Sequence, residues 1–332
     1  MPFSRRALVG LALTAPVLAA CGASEAPTVS GGSPSAAAGS PTATSDAAGM
    51  IRVIDSRGVT VTLERPATRV VTLEWGPTED VLALGVEPVA VADPAGFASY
   101  VSSVTLPEGT PDVGLRTEPS LESIAAAEPD LILGVNGSIP ENAIAQAEQI
   151  APVVLLTGAD ATRQLENLRD NFNTVALLLG REAAAQEVLS QLDAKLEESA
   201  AALSGVTAPY IFAWINVTGS TADLRMHSSR SVPGAIAEEL GLTNAYTEPG
   251  DDAWGIGSWD LEALTTLPAD TQILSWANDD ADPLAALAGN PLWDGLAPVQ
   301  AGNVHPAALH IWVYGGPMSM MQWADDLVAQ LA

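Results

Sequence analysis

Two α/β lobes, each with a parallel or mixed sheet and joined by a helical connector, are what this 332-residue sequence predicts. Three observations lead there. Short β-rich runs alternate with helical ones from Met50 onward, the pattern of sheets that carry helices on their faces. The roughly 280 residues that follow Met50 exceed what one hydrophobic core ordinarily holds. Between the two stretches of alternation, apolar residues keep helical spacing with no strand between them for about 40 residues.

In chain order, residues 1–20 read as a lipoprotein signal peptide: Arg5 and Arg6, an apolar run from Ala7 to Ala20, then Leu18-Ala19-Ala20-Cys21-Gly22. An apolar run of this length is too short to span a bilayer. Cys21 is the only cysteine, so it has no disulfide partner, and its place at a small-residue cleavage site predicts that its sulfur carries lipid. Ser4-Arg5-Arg6-Ala7-Leu8 fits a twin-arginine signal as well as the general secretory route. Residues 21–50 are Ser, Ala, Gly, Pro and Thr with hardly a large apolar side chain, which predicts a flexible tether.

Residues 51–160 form the expected first lobe, with strands over 69–73, 88–92, 130–133 and 153–156. Helices are expected over 77–84, closed by Gly85, and over 120–127 and 140–150. The connector, 161–205, carries Leu165, Leu168, Phe172, Val175 and Leu179, then Val188, Leu192, Leu196 and Leu203 beyond Gly180. The second lobe, 206–332, resumes with a strand at 210–214, helical stretches at 234–240 and 261–267, a strand at 271–274 and a last helix over 317–331. No repeat of 20 to 50 residues suggests a solenoid.

A formal charge of −27 argues against nucleic acid and anionic membrane surfaces as partners, and a neutral or cationic ligand suits it better. In open α/β sheets ligands sit beyond the carboxyl ends of strands. The loops there carry Trp75, Trp214, Trp254, Trp312 and Tyr314, in a chain with eight Trp against four Phe. The imidazoles are His227, His305 and His310, with no helix-face pair among them, so no metal site is expected. No Gly-x-Ser-x-Gly, His-Glu-x-x-His or phosphate loop supports the rival class, an exported hydrolase.

The segments Arg69-Val70-Val71-Thr72-Leu73-Glu74-Trp75, 78–86 and Asp112-Val113-Gly114-Leu115-Arg116-Thr117-Glu118-Pro119, together with Asn290-Pro291-Leu292-Trp293, 299–304 and Trp312-Val313-Tyr314-Gly315, carry a resemblance from about residue 51 to 331. The chain resembles ferric-siderophore-binding proteins of the hydroxamate type, periplasmic proteins or lipoproteins that serve ABC importers. The resemblance implies a class III periplasmic-binding-protein-like fold with a single long helix between the lobes. It implies a non-enzymatic, monomeric, extracytoplasmic protein on a lipid anchor, an iron(III)-siderophore as ligand and no cofactor. A catecholate siderophore, haem or cobalamin remain alternatives.

By the same resemblance Arg116 donates hydrogen bonds to the iron-bound oxygens, Tyr100 is a cleft aromatic, and Trp254 and Trp312 are ring walls for the ligand's apolar arms; Trp75 and Tyr314 join them as ligand-binding candidates from their strand-end loops. A ligand-bonding tyrosine of relatives is replaced around Asn136 to Ser138. Glu79 and Glu238, one on the outer rim of each lobe, are implied as the carboxylates that dock on the ABC-transporter permease, with Glu239 an alternative to Glu238.

Overall fold

In the computed structural model, which describes residues 42–45, 49–218, 221–276 and 282–332, the first lobe opens with an antiparallel sheet of β1 (Thr42–Ser45), β2 (Ile51–Ile54) and β3 (Thr60–Leu63). β1 pairs with β2 from Thr42↔Ile54 to Ser45↔Ile51. The end of the expected tether is therefore paired strand. A backbone ladder needs no large side chain, so composition did not reveal it. Cys21, the signal and most of the tether lie outside the described residues.

β4 (Val70–Thr72) leads into α1 (Trp75–Ala83), followed by β5 (Ala90–Val91), α2 (Pro94–Tyr100), the two-residue strands β6 (Gly114–Leu115) and β7 (Glu118–Pro119), and α3 (Leu121–Ala126). β8 (Leu131–Val135), α4 (Glu141–Ala147) and β9 (Val153–Leu156) complete the lobe. The main sheet has the order β5-β4-β8-β9 and is parallel throughout. Its strands are buried on both faces, which explains their unbroken apolar runs. Val70, Leu131, Leu133 and Val154 face one core, and Val71, Ile132, Val153 and Leu155 face the other.

The connector segment holds two helices, α5 (Gln164–Leu179) and α6 (Glu182–Leu203), and α6 is the single long helix that runs between the lobes. Gly180 turns the chain between them in the left-handed region at φ 63°, and a Cβ there would lie 2.9 Å from Pro66 Cγ. α6 alone rises about 33 Å. Its Ala185 and Val188 pack in the first lobe, while Leu192, Leu196 and Leu203 pack in the second.

The second lobe contains β10 (Tyr210–Thr218), β11 (Thr221–His227), α7 (Val232–Glu239), β12 (Ile256–Trp259), a 3₁₀ turn at Ala263–Thr266 and β13 (Gln272–Trp276). α8 (Pro283–Leu287), α9 (Pro291–Asp294), α10 (Ala297–Ala301), β14 (Val304–Pro306) and α11 (Pro317–Leu331) follow. Its sheet is mixed, in the order β12-β11-β10-β13-β14, with β10, β13 and β14 parallel and β11 and β12 antiparallel to their neighbours. α11 runs over the core face shared by α6 and α7, and its first turn reaches α1 of the first lobe. Among the described residues no helix is long and apolar enough to cross a membrane.

Candidate functional site

The carboxyl ends of the strands in both lobes converge on a cavity of about 470 Å³. On the first lobe, β4 ends one turn before α1, and Glu74 caps that helix by accepting from the Trp75 backbone N–H at 2.9 Å. The same carboxylate holds Arg116 Nη1 at 2.5 Å. Arg116 stands at the tip of the β6–β7 hairpin, which Gly114 makes possible with φ 99°, a conformation few residues other than glycine adopt. Its guanidinium lies 3.8 Å from the Trp75 ring centre and 5.6 Å from that of Trp312.

Arg116, Trp254, Trp312 and Tyr314 line the cavity. Trp75 and Tyr100 do not. Trp75 is buried, donates from Nε1 to the Asp93 carbonyl at 3.3 Å and stacks on Tyr100 at 5.2 Å. Because α1 starts immediately after the strand, the Trp75 ring turns toward Phe97 and Val101. Trp75 lies beneath Arg116 with Tyr100 stacked against it, where ligand walls were expected.

The floor comes from the loops after β8 and β9 and from α5. Asn136 Oδ1 accepts from Gly158 N–H at 2.7 Å, and Ser138 Oγ accepts from Val135 N–H at 3.0 Å, so the two loops are tied together. Asn167 and Asn171 both donate to the Thr157 carbonyl, at 3.1 and 2.8 Å. The segment from Asn136 to Ser138 does line the cavity, with polar groups and no ring.

The second lobe supplies the aromatic wall. Trp312 and Tyr314 meet edge to face at 5.1 Å, Trp254 meets Tyr314 at 5.4 Å, and Trp75 reaches across from the first lobe to Trp312 at 4.8 Å. Trp254 is 38% exposed on a loop folded about Asp251, whose carboxylate accepts from Ala253, Trp254 and Ile256 N–H groups at 2.9, 2.7 and 3.1 Å. Burial opposes its ionisation, but these donors outweigh burial and hold its pKa below the ordinary value.

His227 Nε2 lies 2.7 Å from the Tyr314 hydroxyl. Full burial lowers the imidazole pKa to about 3, so it is neutral and orients that hydroxyl. Burial also pushes the Tyr314 phenol up to about 12. Arg225 is beside both, lining the cavity from β11. Sequence reasoning left out β11, and with it the placement of His227 and Arg225. The alternation in Thr221-Ala-Asp-Leu-Arg-Met-His227 was the available signal. His305 Nε2 meets Gln272 Oε1 at 2.7 Å and His310 Nδ1 donates to the Ser99 carbonyl at 2.6 Å. Among the described residues no group of three or more His, Cys, Asp or Glu side chains gathers to hold a metal.

Glu79 requires a correction. It is fully buried where α1 meets α11, bonded by Ser319 N–H at 2.8 Å and Ser319 Oγ at 2.6 Å, and therefore presents no carboxylate on an outer rim. Burial raises its pKa to about 7 against the pull of Ser319, Gly316 and Ser103. Asp80 beside it lines the cavity, and burial followed by the neighbouring Glu79 charge pushes its carboxyl well up. Glu238 and Glu239 are exposed at the end of α7.

Residues 70–306 match the model of the family described as periplasmic binding protein. The iron(3+)-hydroxamate-binding protein FhuD of Escherichia coli is 28% identical over 259 residues, covering 78% of this chain and 85% of that protein. The Fe(3+)-citrate-binding protein YfmC of Bacillus subtilis is 29% identical over 281 residues, 84% of this chain and 86% of its own. Among solved structures, the siderophore-binding protein FhuD of Vibrio cholerae bound to Fe3+-Desferal superposes with a TM-score of 0.70 at 30% identity. That match covers 80% of this chain and 97% of the other.

Proposed function

The chain belongs to the periplasmic binding protein family, and on that premise we propose that it captures a ferric siderophore outside the cytoplasm and delivers it to the permease of an ABC importer. It is a binding component of transport and not an enzyme. We propose further that the siderophore is of the hydroxamate type and that lipid on Cys21 holds the protein at the cell membrane.

One observation carries the reading of the ligand: a cavity of about 470 Å³ walled by Trp254, Trp312 and Tyr314, with Arg116 projecting into it from the facing lobe. Rings suit the apolar arms of a wrapped chelate. A guanidinium can donate to an electron-rich oxygen face without competing for the metal, because it has donors and no lone pair to offer. The iron then arrives inside its chelator as cargo. Of the two carboxylates implied for permease docking, Glu238 keeps that proposal, being exposed at the end of α7.

The test is a titration of the purified protein, followed by tryptophan fluorescence, with ferrioxamine, ferrichrome, ferric citrate, a ferric catecholate, haem and cobalamin. Saturable quenching by the hydroxamates, weaker with the iron-free chelators, is expected because the ferric form is preorganised. Quenching by haem or cobalamin alone would overturn the proposal.

A further inference from the structure

The cavity contains two guanidiniums, and they differ in what they have left to offer. Arg116 is paired with Glu74 at 2.5 Å, so much of its charge is answered before any ligand arrives. Arg225 lies on the other lobe. It is partnered across the sheet with Trp214, and its guanidinium rests 4.8 Å from that ring's centre. Its second neighbour is Tyr314, itself turned toward His227. Ring contact and a neighbouring phenol orient an arginine without neutralising it. Among the described residues no carboxylate comes within 4.0 Å of Arg225, as eight ion pairs form there and none includes it.

The acids on the cavity wall do not cancel this charge. Glu74 is committed to Arg116. Asp251 stays ionised, its carboxylate held by three backbone N–H groups of its own loop, and it forms no ion pair with Arg225 within 4.0 Å. Asp80 is buried beside Glu79, and burial and that neighbour both favour its neutral form. The net charge of −27 disfavours anions at long range, but screening limits that field to about 8 Å at physiological salt. Contact inside the cavity is set by the nearest groups, and on the second lobe the nearest unmatched cation is Arg225.

We propose that Arg225 is a ligand contact for a carboxylate arm of the chelate, so that the site prefers a ferric hydroxamate with a free carboxylate over the same chelate ending in an ammonium. This rests on the ferric-siderophore function proposed above. A guanidinium matches a carboxylate with two parallel hydrogen bonds, whereas an ammonium at the same place meets a like charge. The arm would lie along Tyr314, and the chelate core between Arg116 and the tryptophans.

The probes are two linear ferric trihydroxamates that differ only at one end, one with its terminal amine and one with that amine succinylated. Each is titrated by tryptophan fluorescence at low and physiological ionic strength, into wild type, Arg225→Ala and Arg225→Gln. Wild type should favour the carboxylate form by about fivefold to tenfold, the range of a charge-assisted hydrogen bond in a half-solvated site, and less so as salt rises. Both variants should lose that preference, with binding of the carboxylate form weakened several-fold more than binding of the ammonium form. Arg225→Gln keeps a long polar side chain over Trp214, so agreement between the variants excludes disturbed folding as the cause. A wild type indifferent to the terminal group, or variants that keep the preference, would overturn the role of Arg225 and leave the ferric-siderophore function standing. Failure of wild type to bind either chelate would overturn that function and this inference with it.

Discussion

Arg116 reaches a ligand as half of an ion pair, and this decides how its removal should read. Taking away its side chain deletes a charged donor and leaves Glu74, half-buried at the same wall, facing the electron-rich ligand. Arg116→Ala should weaken ferric-hydroxamate binding by about 1.5–3 kcal/mol, the range for hydrogen bonds to charged groups. Glu74→Gln should strengthen it, since the guanidinium is then released from its partner while the amide still caps α1. Titration of both variants beside wild type decides the matter. Unchanged affinity in Arg116→Ala would take this residue out of the ligand site. The cavity wall was partly legible at this scale: Trp312 and Tyr314 lie in the loop after β14, whereas Trp254 stands in the loop that leads into β12. Trp75 and Tyr100 were misplaced because the direction of a ring at a helix start depends on packing against α2, which no local pattern records.

Between elements, the telling contact is the joint of α1 and α11. Glu79 caps the first turn of α11 from another helix, and Gly315 and Gly316 are the residues that let it approach. A Cβ on Gly315 would fall 2.4 Å from Glu79 Oε2, and one on Gly316 2.2 Å from Asp80 Oδ1. Burial raises the Glu79 pKa from 4.5 to about 7. Below pH 4.5 the group is protonated folded or unfolded and contributes no slope. From pH 4.5 to about 7 the unfolded chain gives up the proton that the folded chain retains, so stability falls as pH rises and levels off above about 7. The full fall is at most ~3 kcal/mol. Urea midpoints measured from pH 5 to 8 should show it, and Glu79→Gln should flatten it, with the residue of the slope belonging to Asp80, whose shift has the same direction. A slope untouched in Glu79→Gln would mean that Glu79 ionises freely. The last helix could be read from sequence, since Pro317 opens it and its apolar stripe is regular. The pairing of β1 and the hairpin of β6 and β7 could not, because two to four residues carry too little periodicity.

For the whole molecule, α6 and α11 tie two separately cored lobes together, and the described fold starts at Thr42 with a strand paired to β2. Cys21 lies 21 residues before that point. The sequence between Cys21 and the described fold carries hardly a large apolar side chain, so anchoring and ligand capture should be separable. A 20-residue stretch such as 22–41 reaches at most about 70 Å, which confines an anchored binder near its permease and raises its effective concentration there. Cys21→Ala should therefore leave siderophore affinity and thermal midpoint as they are in wild type, move the protein from the membrane to the soluble fraction of its host, and lower radio-iron uptake at limiting siderophore. Intact-mass measurement of the membrane fraction is the direct check. A wild-type Cys21 found without lipid would sink the anchor, and full uptake by a soluble Cys21→Ala protein would show that diffusion alone supplies the permease.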